Sequence, residues 1–335
     1  EATNTPELYV RGGRPSEVAF YVDGFSQQDP LTGTSTANIA NGAIKEVAVV
    51  SGGFPVEYGH VTSGIVNVTT QSGGDTYSGF LETVTDQVYD QNWYSAQFGG
   101  PVPGVEDLSF FGSVERRYHG DRQPSAITGD VLPGSPDLLP NNSLKGWSYQ
   151  GKIDYKLTEN IRLAFAGTGS RDKWNQYAHS RLFNNEHNAY YDDQNLGLNA
   201  KWTHTLNATT FYNLSGSYFV TERFRGDGVH KEDLWAYGRP DGNTTNDDED
   251  LFRSWDDKDS ITPTEYETIT VDGVERQFIT ESDEGQVFDD YLRRKSSYIG
   301  FKGDINSELS SEHTVKAGMQ FNRHTLRYYN HLRPV

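Results

Sequence analysis

The feature that most constrains this chain is the rhythm of its connections. From residue 77 onward it reads as strands of period two, with apolar and polar residues alternating. Tyr149, Gly151, Ile153, Tyr155 and Leu157 share one face, and Gln150, Lys152, Asp154 and Lys156 the other. Leu196, Leu198, Ala200 and Trp202 alternate in the same way with Gly197, Asn199, Lys201 and Thr203. The pattern predicts strands near 77–87, 93–100, 107–118, 147–157, 161–171, 195–206, 209–222, 291–306 and 313–327. The joins at 158–160, at 207–208 and around Ser310 are short, whereas those at 119–146, 172–195 and 223–290 are long. Every long join from residue 119 onward follows an odd-numbered strand. Antiparallel pairing would put the short turns on one rim and the long loops on the other, as in a transmembrane β-barrel.

That reading fixes which residues face which way. Ile153, Tyr155, Leu198, Trp202, Phe301 and Met319 are expected to face lipid, and Lys152, Asp154, Asn199 and Lys316 the interior. In a soluble barrel, outer aromatics such as Trp202, Tyr212 and Phe301 would have to be covered by something. No apolar run approaches the ~18 residues of a membrane helix. The mean hydropathy of −0.71 does not exclude barrel strands, because only alternate residues need be apolar. A net charge of −18 argues against a nucleic-acid partner, which would need a basic stripe. With no cysteine there is neither a disulfide framework nor a thiolate metal site.

Residues 1–75 have a different grain, with short strands closed by glycine turns. Arg11-Gly12-Gly13-Arg14-Pro15 leads into Val18-Ala19-Phe20-Tyr21-Val22-Asp23-Gly24. A second strand, Ile44 to Val50, ends in Ser51-Gly52-Gly53-Phe54, and Glu57-Tyr58-Gly59 follows. A third runs Ser63-Gly64-Ile65-Val66-Asn67-Val68-Thr69-Thr70. In this order and spacing, the four pieces resemble the second half of the plug domain of TonB-dependent outer-membrane receptors. Ser51 stands where many siderophore receptors carry arginine. That variant, with Phe98-Gly99-Gly100-Pro101-Val102, is similar to the carbohydrate-type (SusC-like) and adhesin-like (Oar-like) branches.

The resemblance implies an all-β protein of the Gram-negative outer membrane. A half plug at 1–75 would be followed at 76–335 by about nine antiparallel strands of a larger barrel, of about 22 strands. So few strands cannot close around a plug, and the chain reads as one piece of a longer polypeptide. The resemblance also implies a nutrient importer driven by TonB, ExbB and ExbD through a plug segment not in this sequence, with a surface lipoprotein as a further partner. Its cargo would be an oligosaccharide, a peptide or a chelate. The rival reading is an adhesin or structural protein that kept the receptor fold. By the same resemblance, Arg11 and Arg14 are expected to pair with carboxylates of the barrel wall. Gly12, Asp23, Gly24, Ser51, Gly52, Glu57, Tyr58, Gly59 and Asn67 complete the plug motif and its seam with the barrel.

The 223–290 join holds 20 acidic residues against 7 basic ones, a net of −13. Asp247, Asp248, Asp250 and Asp257 are candidate calcium ligands, since calcium favours clustered carboxylates, although no EF-hand spacing is present. The other reading is a solvated acidic surface with no cofactor at all. Thr268 to Val274, with Asp272-Gly273 at its centre, predicts a hairpin. Trp235, Tyr237 and Trp255 suggest a lid or a surface for a ligand or partner. No nucleotide loop, nucleophile elbow or His-Glu-x-x-His motif occurs, so no enzyme is expected. His179 and His187 read as surface residues.

Overall fold

The computed structural model describes residues 9–35, 38–55, 58–59, 61–124, 138–234, 237, 265–271, 274–280, 287–288 and 290–332. Four strands form a small first sheet: β1 (Val18–Val22), β2 (Phe25–Ser26), β3 (Ile44–Val50) and β4 (Gly64–Thr70), in the order β2-β1-β4-β3. Asp23 and Gly24 join β1 to β2 with φ of 50° and 85°. Two successive positive φ values make the type I′ turn whose twist suits a two-residue hairpin, and Asp-Gly is a sequence that tolerates it. β4 lies parallel to β1, and Val18, Val22, Val66 and Val68 form a compact buried core between them and the flanking Val10, Phe20, Ile39 and Ile44.

The second sheet has nine strands: β5 (Ser78–Asp86), β6 (Gln91–Pro101), β7 (Leu108–His119), β8 (Leu144–Thr158), β9 (Ile161–Asn175), β10 (Ala189–Asn207), β11 (Thr210–Asp227), β14 (Asp290–Ser310) and β15 (His313–Leu332). They pair antiparallel in chain order, β11 lying directly beside β14. Between those two, β12 (Glu265–Val271) and β13 (Val274–Thr280) make a separate hairpin in which Val271 pairs with Val274. All nine expected wall strands are present, and the two strands flanking positions 272–273 pair as expected of a hairpin, those two residues lying outside the described ones. Among the described residues the helical segments are short 3-10 turns, at Pro15–Glu17, Asn41–Ala43 and His179–His187.

The two rims separate as the parity rule requires. Thr205 donates its backbone N–H to Asn160, and Glu308 donates to Thr209, so three tight turns sit side by side. On the opposite rim Asn175 donates to Ser143, and Asn141 reaches Asn185, tying the long connections together. Several strands run further toward this rim than the alternation indicates. β10 starts at Ala189 instead of 195, and β11 continues to Asp227 instead of 222. Those extensions, such as Ala189-Tyr-Tyr-Asp-Asp-Gln, carry polar groups on both faces. A wall that projects beyond lipid needs backbone pairing but no apolar face, and so it loses the period-two signal.

Facing follows the expected parity at most of these positions, but Tyr155, expected to face lipid, borders the lumenal cavity, and Trp202 is half-buried. Ile153, Leu198, Phe301 and Met319 are exposed on the outer surface, Phe301 by 61% and Met319 by 78%. Lys152, Asp154, Asn199 and Lys316 line a lumenal cavity of about 1110 Å³ between the small sheet and the wall.

Candidate functional site

The small sheet docks on the concave side of the wall, and the contact is organised by one cross-strand row. Arg117 of β7 pairs in register with Gly146 of β8, Gly146 with Asp172 of β9, and Asp172 with Asp193 of β10. Asp193 pairs with Arg223 of β11, and Arg223 with Arg294 of β14. Six adjacent strands thus contribute one inward position each, and every charged member is buried.

A row of buried charges is stable only if each charge is met. Arg117 donates from Nη2 to Asp172 Oδ1 at 2.8 Å, reaching across β8 because Gly146 has no side chain. A Cβ on Gly146 would lie 2.1 Å from that same carboxylate oxygen. Arg223 makes a bidentate pair with Asp193 at 2.6 and 2.8 Å, and Trp174 Nε1 donates to Asp193 at 3.0 Å. Within the wall the row has three cations and two carboxylates. The sixth charge comes from the docked domain: Asp29 Oδ2 lies 2.9 Å from Arg294 Nε, with both side chains almost fully buried. Asp29 therefore gives Arg294 its carboxylate and relieves the juxtaposition of Arg223 and Arg294, while Glu115 Oε1 stands 3.7 Å from Arg117 Nη1 at the other end.

Further contacts hold the same face. Asn38 donates its backbone N–H to Ser170 Oγ at 3.3 Å and its Nδ2 to Asp172 at 3.5 Å. Tyr298 donates its hydroxyl to the Ser26 carbonyl at 2.6 Å. Gln27 fills the notch over Gly197, where a Cβ would come within 2.6 Å of its Nε2. Lower down, Lys152 Nζ lies 3.7 Å from Asp23, which also accepts the backbone N–H and hydroxyl of Thr70.

The motif residues expected at this seam divide into two groups. Asp23, Gly24, Tyr58 and Asn67 border the lumenal cavity, with Tyr58 edge-on to Tyr21 at 4.9 Å and Asn67 on β4 beside Tyr21. Arg11, Gly12, Ser51 and Gly52 come together within the small sheet instead: Arg11 Nη1 donates to the Ser51 carbonyl at 2.6 Å. Arg14 caps a 3-10 turn, its backbone N–H bonded to Glu17. Gly59 has open space where a Cβ would stand. Glu57 lies outside the described residues, as do Trp235, Trp255, Asp247, Asp248, Asp250 and Asp257. Among the described residues the domain thus meets the wall through carboxylates on cations, where sequence reasoning expected arginines on carboxylates. Asp29, Arg117, Gly146, Asp172, Asp193, Arg223 and Arg294 were missed. Each wall residue has lumen-facing parity, but their common row depends on a register that the long loops hide.

The long-loop rim has its own core. Phe224, Tyr237, Val287 and Tyr291 are buried together. Tyr237, expected to face a ligand or partner, is instead a buried clasp. Its hydroxyl donates to the Lys231 carbonyl and accepts from the Asp227 N–H, both at 2.6 Å, and burial raises its phenol pKa well above the ordinary value. A group so held stays protonated and keeps donating. Nearby, Trp174 stacks on Tyr191 with centroids 3.7 Å apart, and Arg122 lies 4.0 Å from the Trp174 ring, anchoring the 120–143 connection. His187 is not a free surface residue: its Nδ1 lies 2.8 Å from Asp227 Oδ2.

No family model matches the chain. Among solved structures, the ferripyoverdine receptor of the outer membrane of Pseudomonas aeruginosa superposes with a TM-score of 0.62, covering 96% of this chain at 10% identity. The fold is that of a TonB-dependent receptor. BauA, the ferric preacinetobactin receptor of Acinetobacter baumannii, superposes with a TM-score of 0.60 at 10% identity, again over 96% of this chain. The FrpB iron transporter of Neisseria meningitidis gives a TM-score of 0.57 at 14% identity over 93%. By sequence, the TonB-dependent transporter Oar of Myxococcus xanthus is 23% identical over 201 residues, 48% of this chain. The chain spans 19% of that transporter and 38–42% of these three structures. In receptor terms the small sheet is plug and the nine strands are barrel wall.

Proposed function

We propose that this chain is the plug-and-wall core of an outer-membrane receptor that imports a nutrient ligand when the plug is pulled by TonB. The observation that carries the reading is the Asp29–Arg294 pair, which completes a buried charge row. A permanent structural seal would be served as well by apolar packing, since replacing buried ion pairs with hydrophobic groups is often neutral or stabilising. A polar seam suits a contact that has to part and re-form, because each side can be rehydrated as it opens. The outer face, with its exposed aromatics, places the wall in lipid. The proteins it resembles are named as receptors and transporters, which supports a receptor over an enzyme. TonB, with ExbB and ExbD, supplies the force. A surface lipoprotein is the further partner proposed. The relation to a transporter named Oar supports import over adhesion, with an oligosaccharide, a peptide or a chelate as cargo.

Locking the plug tests this. The Asn38 backbone lies against the Ser170 side chain, so Asn38→Cys with Ser170→Cys, in a full-length protein kept free of other cysteines as these 335 residues are, should form a disulfide. Growth on a nutrient that only the wild-type gene restores to a deletion strain should stop when the bridge forms and return with reductant. Undiminished growth with complete cross-linking would mean that this seam does not open during import.

A further inference from the structure

A second cluster, on the long-loop rim, has the chemistry of a transition-metal site. His187 ends the 3-10 turn in the β9–β10 connection, Asp227 ends β11, and His230 stands in the turn that follows. One donor atom of each lies within 4.8 Å of the others. The two imidazole rings are tilted at 39° with centroids 5.6 Å apart. The Asp227 side chain is fully buried, and among the described residues neither Lys nor Arg forms an ion pair with it.

The carboxylate is already oriented by the backbone. Oδ1 accepts the N–H groups of Val229 and His230, both at 2.8 Å, and Oδ2 accepts that of Phe288 at 2.9 Å. One lone pair of Oδ2 remains, and His187 Nδ1 occupies it. A zinc-type ion at about 2.0–2.1 Å from each donor sets donor–donor spacings of about 3.3 Å. Small rotations of the two imidazoles reach that from the spacings seen here. Hydrogen bonds that fix a ligating carboxylate are the outer-shell support such sites need. Two imidazoles with one carboxylate suit Zn²⁺ and its neighbours, and do not suit Ca²⁺ or Mg²⁺, which take oxygen ligands.

We propose that His187, Asp227 and His230 bind one divalent transition-metal ion, which clasps the β9–β10 connection to the base of the β11–β14 connection. The ion replaces the His187–Asp227 hydrogen bond, and a water completes its coordination. Its residues are not those of the acidic run at 247–259, and its ligand is a different class of ion.

The test uses the full-length protein in detergent, without a histidine tag and stripped with chelator. Co²⁺ alone is titrated in, read by its visible ligand-field absorption. One Co²⁺ should bind per chain, with the intense bands of four-coordinate geometry, and Zn²⁺ but not Ca²⁺ should displace it. His187→Gln and His230→Gln should each weaken binding at least tenfold. Asp227 is left intact because it holds the backbone of the turn. His230→Gln keeps its backbone N–H on Asp227, and unchanged heat-modifiable gel mobility reports that the variant is folded. Binding unaltered by both substitutions, equal competition by Ca²⁺, or no saturable Co²⁺ signal would each overturn the proposal.

Discussion

At Gly146 a missing side chain makes the charge row possible. Arg117 and Asp172 sit on strands separated by β8, and their 2.8 Å contact passes through the space that a Cβ would fill. Gly146→Ala should displace the Asp172 carboxylate, leaving buried Arg117 with only Glu115 Oε1, 3.7 Å from its Nη1, at a cost of about 3 kcal/mol. Gly151, five residues along the same strand, has nothing within 4 Å of its Cβ position. Gly151→Ala should therefore be neutral to within about 0.5 kcal/mol. Denaturant unfolding of the two variants in lipid vesicles compares them directly, and equal effects would show that the row does not bear on stability. The row also explains why Asp29 was invisible in the sequence. As a lone Asp in the plug loop Gln27–Thr34 it matches no motif, and its value comes from Arg294, 265 positions later.

For the strands, legibility tracks the solvent on each side. Where one face meets lipid and the other the lumen, the alternation is strict, and strands β8, β9, β14 and β15 stood within a few residues of their predicted limits at the tight-turn ends. Where the wall rises past the lipid and buries polar and aromatic residues on both faces, as at Ala189–Gln194, the period-two signal vanishes and the alternation does not mark the strand. Register between strands was beyond reach for a related reason. A tight turn such as Asn207-Ala208 fixes its pair, but a connection of dozens of residues leaves the offset of β11 against β14 free. The facing assignment itself can be checked on a cysteine-free background. Single cysteines at Ile153, Leu198 and Phe301, carrying spin labels in proteoliposomes, should be accessible to oxygen dissolved in lipid. Labels at Lys152 and Asn199 should not. A reversed pattern would mean that the register of the outer face is off by one residue.

Taken whole, the molecule joins two bodies of unequal strength. The wall is held by continuous antiparallel ladders of up to 21 residues, and each strand is paired along nearly its full length. The plug rests on four short strands and a core built around four buried valines. Its anchorage to the wall is polar: Asp29, Asn38, Asp23 and the Ser26 carbonyl. Local stability follows buried apolar contact and protected backbone bonding, so the plug should open well before the wall. Hydrogen exchange on the full-length protein in detergent should therefore show β1 and β4 exchanging earlier than the centres of β10 and β11. Asp29→Asn keeps the size of the side chain but removes the charge that neutralises Arg294, and breaking a buried pair costs about 3–5 kcal/mol. That substitution should speed exchange of β1 and β4 by an order of magnitude or more while leaving β10 and β11 unchanged. If both sheets accelerate together, plug and wall unfold as one cooperative unit, and the charge row is part of the barrel's own stability instead of the fastening of a movable plug.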